Sequence, residues 1–134
     1  MSIGIAYTQQ YGGSAVYTVN FDRFLNQDLP STYIEPLGFE FIAGGTAAVK
    51  PTVVGPKRIW TIEAILSVDD SRTLDALYRA WSNDISRGYN AVIAIIDGSF
   101  AATPIESNVI IAAPPSFSLF SPYFRAIKLG LQEV

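Results

Sequence analysis

Apolar and polar residues alternate with period two over residues 15–21, where Tyr17, Val19 and Phe21 are separated by Thr18 and Asn20. This spacing predicts a strand with one buried face. The same period runs through 58–66, with Trp60, Ile62, Ala64 and Leu66 on one face and Thr61 and Glu63 on the other. A further strand is predicted at 39–43, where Gly44-Gly45-Thr46 then permits a tight reversal. After Ser67 the period changes. Leu74, Leu77, Tyr78, Trp81 and Ile85 fall on one helical face, and Arg72, Asp75, Arg79 and Asp84 fall largely off that stripe. The spacing predicts one amphipathic helix near 71–87, capped by Asp69 or Asp70 and ended by a left-handed Gly88. Beyond it come an unbroken apolar run at 91–96, a turn at 97–99, a strand at 106–112, Pro114-Pro115, and a last run in which Ile127, Leu129 and Leu131 share a face.

Between these elements the period lapses at 22–38 and 44–57. Asn26, Asp28, Pro30, Ser31 and Pro36 supply turn chemistry, and both stretches read as long loops. The order is strands, one helix, strands. It predicts an α+β domain: mainly an antiparallel β-barrel or sandwich with one flanking helix. Residues 1–134 read as a single domain, with Trp60, Ile62, Leu74, Leu77, Trp81 and Leu129 as its core.

Composition narrows the function. Of 134 residues, 49% are hydrophobic and 16% charged, which is a folding rather than a disordered chain. A net charge of −3 gives no basic footprint for nucleic acid or an anionic membrane. No basic start or long apolar run marks a signal peptide or a membrane span. His and Cys are both absent. Thiolate metal sites, disulfides and His-dependent nucleophilic catalysis are thereby excluded. Gly12-Gly13-Ser14 and Gly44-Gly45-Thr46 lack the Lys of a phosphate loop. Asp69-Asp70 has no spaced acceptors behind it to make a calcium loop, and Glu35, Glu40, Glu63 and Glu106 are scattered. The sequence therefore predicts no enzyme, cofactor or metal site.

Aromatic residues make 13% of the chain, and Phe117, Phe120, Tyr123 and Phe124 crowd around Pro114, Pro115 and Pro122. An irregular apolar segment of this kind serves either the core or a contact with another protein. Lys57-Arg58 reads as a solvated strand entry, with pairing to another subunit as the alternative.

The strand at 58–66, Asp70 with Leu74, Leu77 and Trp81, the run at 91–97 and the terminal strand at 124–132 together resemble the tail-tip and distal-tail proteins of long-tailed bacteriophages. The likeness covers roughly the C-terminal three fifths of the chain. It implies a tail-tube-like fold whose subunits join strands into a homo-oligomeric ring, hexameric in that family. The expected partners are copies of the chain and the neighbouring tube, hub and baseplate proteins. The expected location is the virion tail, assembled in the host cytoplasm. On this reading the loops at 22–38 and 44–57 carry assembly, and the candidate subunit contacts are Leu29, Tyr33, Ile34, Leu37, Val53, Val54, Phe117, Phe120 and Tyr123. The alternative is a stand-alone carbohydrate- or peptide-binding β-domain.

Overall fold

A computed structural model describes residues 2–26, 30–34, 38–41, 47–50, 57–99 and 102–134. In chain order the elements are β1 (Ile3–Thr8), β2 (Val16–Phe21), β3 (Ser31–Ile34), β4 (Gly38–Phe41), β5 (Ala47–Lys50), β6 (Lys57–Ser67), α1 (Val68–Ser86), β7 (Ile93–Asp97), β8 (Ile105–Leu119) and β9 (Phe124–Glu133). Seven strands form one antiparallel sheet in the order β2-β1-β7-β8-β9-β6-β3. β4 and β5 form a separate two-stranded sheet. The α+β class stands as predicted, with one helix among the described residues, but the sheet is open. Its edge strands β2 and β3 share no ladder among the described residues, so it does not close as a barrel.

Period-two patterning gives this sheet one apolar face. Ile3, Ile5 and Tyr7 of β1, Val19 and Phe21 of β2, Trp60, Ile62, Ala64 and Leu66 of β6, and Ile127, Leu129 and Leu131 of β9 are all buried in one cluster with Leu74 and Leu77 of α1. The sheet buries that face by folding over itself. β8 is the strand at which it turns, pairing with β7 from Ile105 to Val109 and with β9 from Val109 to Leu119. Two register shifts, between Ile111 and Ala113 and between Ala113 and Ser116, bracket Pro114 and Pro115. Prolines lack the N–H that a regular ladder needs, and bulges are where a strand tolerates them. The predicted strand end at the prolines is thus a bulged continuation. Gly130 sits opposite Ala113 because a Cβ there would meet the Ala113 Cβ at 2.8 Å.

One hydrogen bond measures how far the sheet rolls. Trp60 aligns through Leu131 with Ile111, whereas Asp97 aligns with Ile105. In a flat sheet the two would stand about 20 Å or more apart. Yet Trp60 Nε1 donates to Asp97 Oδ2 at 2.9 Å, with both residues buried. The two halves of the sheet face one another as in a sandwich.

The described residues of 22–38 do not form the loop that the turn residues predict. Residues 23–25 bridge to β6 through Leu25 N to Glu63 O (2.7 Å) and Ile65 N to Arg23 O (2.8 Å). Asn26 accepts from Glu63 N and donates to Thr61 O, and β3 then pairs with β6 from Ser31 opposite Trp60 to Ile34 opposite Lys57. Likewise β4 begins at Gly38 and β5 falls inside the predicted loop at 44–57. The predicted reversal at Gly44-Gly45-Thr46 lies outside the described residues. β1, which the pattern did not single out, is an inner strand between β2 and β7.

α1 starts earlier than predicted. Its N-cap is Ser67, whose side chain accepts from Asp70 N at 3.2 Å, so Asp69 and Asp70 are first-turn residues rather than caps. There their charges favour the helix dipole. At the other end Gly88 takes φ +88°, Gly88 N bonds Ile85 O and Tyr89 N bonds Asp84 O, the paired bonds of a Schellman stop. Leu74 and Leu77 are fully buried, while Trp81 is only half-buried at the core margin and donates to Ala91 O at 3.1 Å. Ile85 is exposed, and Asp84 is buried in its place.

Trp60→Phe keeps most of the apolar contact but leaves a buried Asp97 oxygen without its donor. We expect a loss of about 1–3 kcal/mol in urea unfolding. Ile96→Ala, on the outer face of β7 where Ile96 is 50% exposed, should change stability by less than about 0.5 kcal/mol. Equal effects would show that the Trp60 hydrogen bond does not hold the roll.

Candidate functional site

Among the described residues two carboxylates are wholly buried, and framework donors occupy both. Asp97 accepts from Trp60 Nε1 through Oδ2 and from the backbone N and side-chain hydroxyl of Ser99 through Oδ1. Asp84 accepts from the Tyr7 hydroxyl and Gln10 N (2.9 Å) through Oδ2, and from Tyr11 N (3.2 Å) through Oδ1. Burial by itself would push the Asp84 carboxyl up. The hydrogen bonds from Tyr7, Gln10 and Tyr11 and the charge of Arg87 outweigh it and hold the group below the usual carboxylate range. Burial, together with Asp84 as acceptor and neighbouring charge, holds the Tyr7 phenol well above its ordinary range. These acids join the end of α1 and the end of β7 to the sheet. Among the described residues no three Asp or Glu side chains gather as a metal-binding cluster.

The chemistry that remains is at the surface, on the hairpin of β8 and β9. No charged residue occurs between Glu106 and Arg125. From residue 110 to 119, among the described residues, β8 pairs with β9 on one edge only, because its ladder with β7 ends at Val109. At the tip Leu119 is 81% exposed, Tyr123 77% and Phe120 57%. That tip is held in place. Ser121 N bonds Phe124 O, Arg125 Nη1 donates to the carbonyls of Ser121 and Phe124 (both 2.9 Å), and Val68 N at the start of α1 bonds Tyr123 O. The Arg23 guanidinium lies 5.2 Å from the centre of the Phe124 ring. An apolar tip fixed by such contacts loses little conformational freedom on binding. Beside it, Val68, Ser71, Arg72 and Asp75 of α1 form a groove with Phe117 and Arg125.

The predicted contact residues divide. Phe117, Phe120 and Tyr123 share this hairpin. Tyr33 stands exposed on β3, on the other side of the sheet, and Ile34 ends that strand. Leu29, Leu37, Val53 and Val54 lie outside the described residues. Arg58 is a correction: it is not a solvated strand entry but a buried residue, donating to Ser31 Oγ and the Tyr33 hydroxyl and packing 4.5 Å from the Tyr33 ring centre. Lys57 donates to Val134 O at 2.8 Å. Asp84 is a second correction: expected largely off the apolar stripe, it sits seven residues after Leu77, hence on nearly the same helical face, and is buried.

No protein-family description matches this chain, and no curated protein matches its sequence.

The lowered Asp84 pKa gives a signed pH dependence. The native carboxylate is favoured relative to the unfolded chain, so its stabilisation is present above about pH 4 and is lost as pH falls through the folded-state pKa. Asp84→Asn is expected to lower stability at pH 7 by about 1.5–3 kcal/mol. Its deficit against wild type should shrink between pH 5 and pH 3, roughly the range in which an ordinary carboxylate titrates. Urea titrations at these pH values read it, and a constant deficit would mean that lost packing, not charge, is responsible.

Proposed function

We propose that this chain is a structural subunit of a bacteriophage tail tip or baseplate, assembling with copies of itself as a ring between the tail tube and the distal tail proteins. The observation that carries the reading is the β8–β9 hairpin. Among the described residues its outer edge has no strand partner for ten residues beyond the β7 ladder, from 110 to 119, and its fixed tip presents Leu119, Phe120 and Tyr123 to solvent. Proteins that stay alone shield such edges with charge, and this hairpin has none between Glu106 and Arg125. A contact between unlike surfaces of identical subunits generates a ring when its rotation closes. The resemblance of 58–66, 70–81, 91–97 and 124–132 to tail-tip proteins supplies the setting. Both buried acids serve the framework, which fits a structural subunit better than a carboxylate enzyme.

The second reading, a carbohydrate- or peptide-binding β-domain, has one observation in its favour. Tyr11 and Tyr89, 43% and 40% exposed, stand 6.5 Å apart beside Arg87, whose guanidinium lies 3.7 Å from the Tyr11 ring centre. Aromatic side chains with a polar rim are a common platform for such ligands.

Mass photometry and negative-stain microscopy separate the two. Wild type should form closed oligomers, alone or on addition of the tube protein. A Leu119→Asp/Tyr123→Asp variant should remain monomeric with stability within about 1 kcal/mol of wild type, since both positions are exposed. A wild-type chain that stays monomeric under both conditions would overturn the ring.

A further inference from the structure

Two exposed aromatic side chains, distant in the sequence, hang from one buried residue. The Asp84 carboxylate accepts from Tyr11 N at 3.2 Å, and the Asp84 backbone carbonyl accepts from Tyr89 N at 3.1 Å. Asp84 is fully buried, so both rings are anchored to the core. The turn that carries Tyr11 is fixed a second time. Gln9 N bonds Ala15 O at 2.9 Å, Gln9 Nε2 donates to Tyr11 O at 2.7 Å, and Gly12 takes the left-handed φ of +76° that the reversal requires. A site held in this way spares a ligand the cost of ordering it.

Tyr11, Arg87, Gly88 and Tyr89 line an open hollow of about 260 Å³. Gly88 leaves it unfilled, since a Cβ there would meet nothing within 4 Å. The Tyr11 and Tyr89 rings are tilted by 49° with centres 6.5 Å apart, so a ligand lies against them rather than between them. The Arg87 guanidinium lies over the Tyr11 ring. A guanidinium stacked on a ring keeps its donors, which lie in its own plane, for a further partner. Among the described residues none of the Arg87 side-chain donors is hydrogen-bonded.

Charge separates a neutral ligand from an anion at this hollow. The Arg87 charge already acts on the Asp84 carboxylate, and Arg87 caps the C-terminus of α1, the negative end of the helix dipole. An anion would be repelled by both, whereas a neutral ligand rich in acceptor oxygens uses the donors without that opposition. Size points the same way. The hollow falls below the roughly 300–1,000 Å³ of pockets for drug-sized ligands, which leaves room for one sugar ring but not for an extended peptide. We propose that this hollow is a subsite for one neutral hexopyranose of a glycan, its C–H face against the tyrosine rings and its hydroxyls on Arg87. The proposal rests on the second reading above, whose ligand it names, and does not depend on whether copies assemble.

Saturation-transfer NMR tests it with neutral probes, the methyl glycosides of glucose, galactose and mannose together with N-acetylglucosamine, beside glucuronate, inorganic phosphate and tetraproline. At least one neutral sugar should bind with a Kd of about 1–10 mM, the range expected for about a dozen non-hydrogen atoms on an open surface. Glucuronate and phosphate should bind no more tightly. Tyr89→Ala and Arg87→Ala, both at exposed positions, should each weaken sugar binding at least fivefold, and Ile96→Ala should leave it unchanged. Circular dichroism checks the fold of each variant, and if one of the pair unfolds the other decides. Sugar binding that neither variant weakens would overturn the site. Glucuronate or phosphate bound tenfold more tightly than every neutral sugar would overturn the ligand class. Tetraproline bound through Tyr89 and Arg87, with no sugar bound, would overturn the sugar and leave the second reading standing as a peptide site. No binding by any probe would overturn both.

Discussion

The fold depends on covering one face of a seven-stranded sheet with a single helix. At about 4.8 Å per strand the sheet is roughly 30 Å across, while a helix covers a band about 10 Å wide. α1 is 19 residues long and cannot shield all the apolar positions on β1, β2, β6, β7, β8 and β9. The sheet must cover itself, and the bulged β8 is where it can turn. Buried carboxylates then fix the arrangement, because a carboxylate oxygen away from water demands donors in specific places. Asp97 holds Trp60 from across the core, and Asp84 holds the end of β1 to the end of α1. Apolar packing supplies the driving force in this core; these polar bonds select one way of rolling the sheet.

How much of this was legible depends on how each element advertises its face. β6 and α1 were plain, since Trp60, Ile62 and Leu66 alternate with Thr61 and Glu63, and Leu74 and Leu77 follow the helical period. β1 was not, although Ile3, Ile5 and Tyr7 alternate perfectly. Gly4 and Ala6 between them are not polar, so the run carries no contrast. β3 is short and follows Pro30, and turn chemistry concealed that Pro30 and Asn26 bond to the backbone of β6. β8 was cut at Pro114-Pro115 because a proline rule for regular ladders does not apply at bulges. Of the candidate contacts, Phe117, Phe120 and Tyr123 were visible as a crowded apolar segment. The unpaired edge beside them was not, because pairing is a property of the whole sheet and no local pattern encodes it.

The hairpin and the framework obey opposite rules in one strand. Up to Val109, β8 is paired with β7, the β9 ladder beginning only at Val109, and its inward side chains run from half-buried Ile105 and Ser107 to buried Val109. Beyond the prolines it is a one-sided arm whose side chains are exposed and uncharged. Bulges separate the two parts, so the arm can vary in sequence without disturbing the register that places Trp60 opposite Leu131. The proposed association surface is thus an extension of the core rather than a loop attached to it, which makes it stiff.

The position of β1 also sets an order of events during synthesis. Its inner-sheet place requires Ile3 to pair with Asp97, more than two thirds of the chain later. A nascent β1–β2 hairpin can form early, but it lacks its second neighbour until β7 leaves the ribosome. At translation rates of about 5–20 residues per second, that wait is roughly 5–20 s. Throughout it Ile3, Ile5, Tyr7, Val19 and Phe21 have no sheet to close over them, and the long-range pairing that follows is of the slow kind. The growing chain is therefore a natural client for chaperones that shelter apolar segments near the ribosome exit.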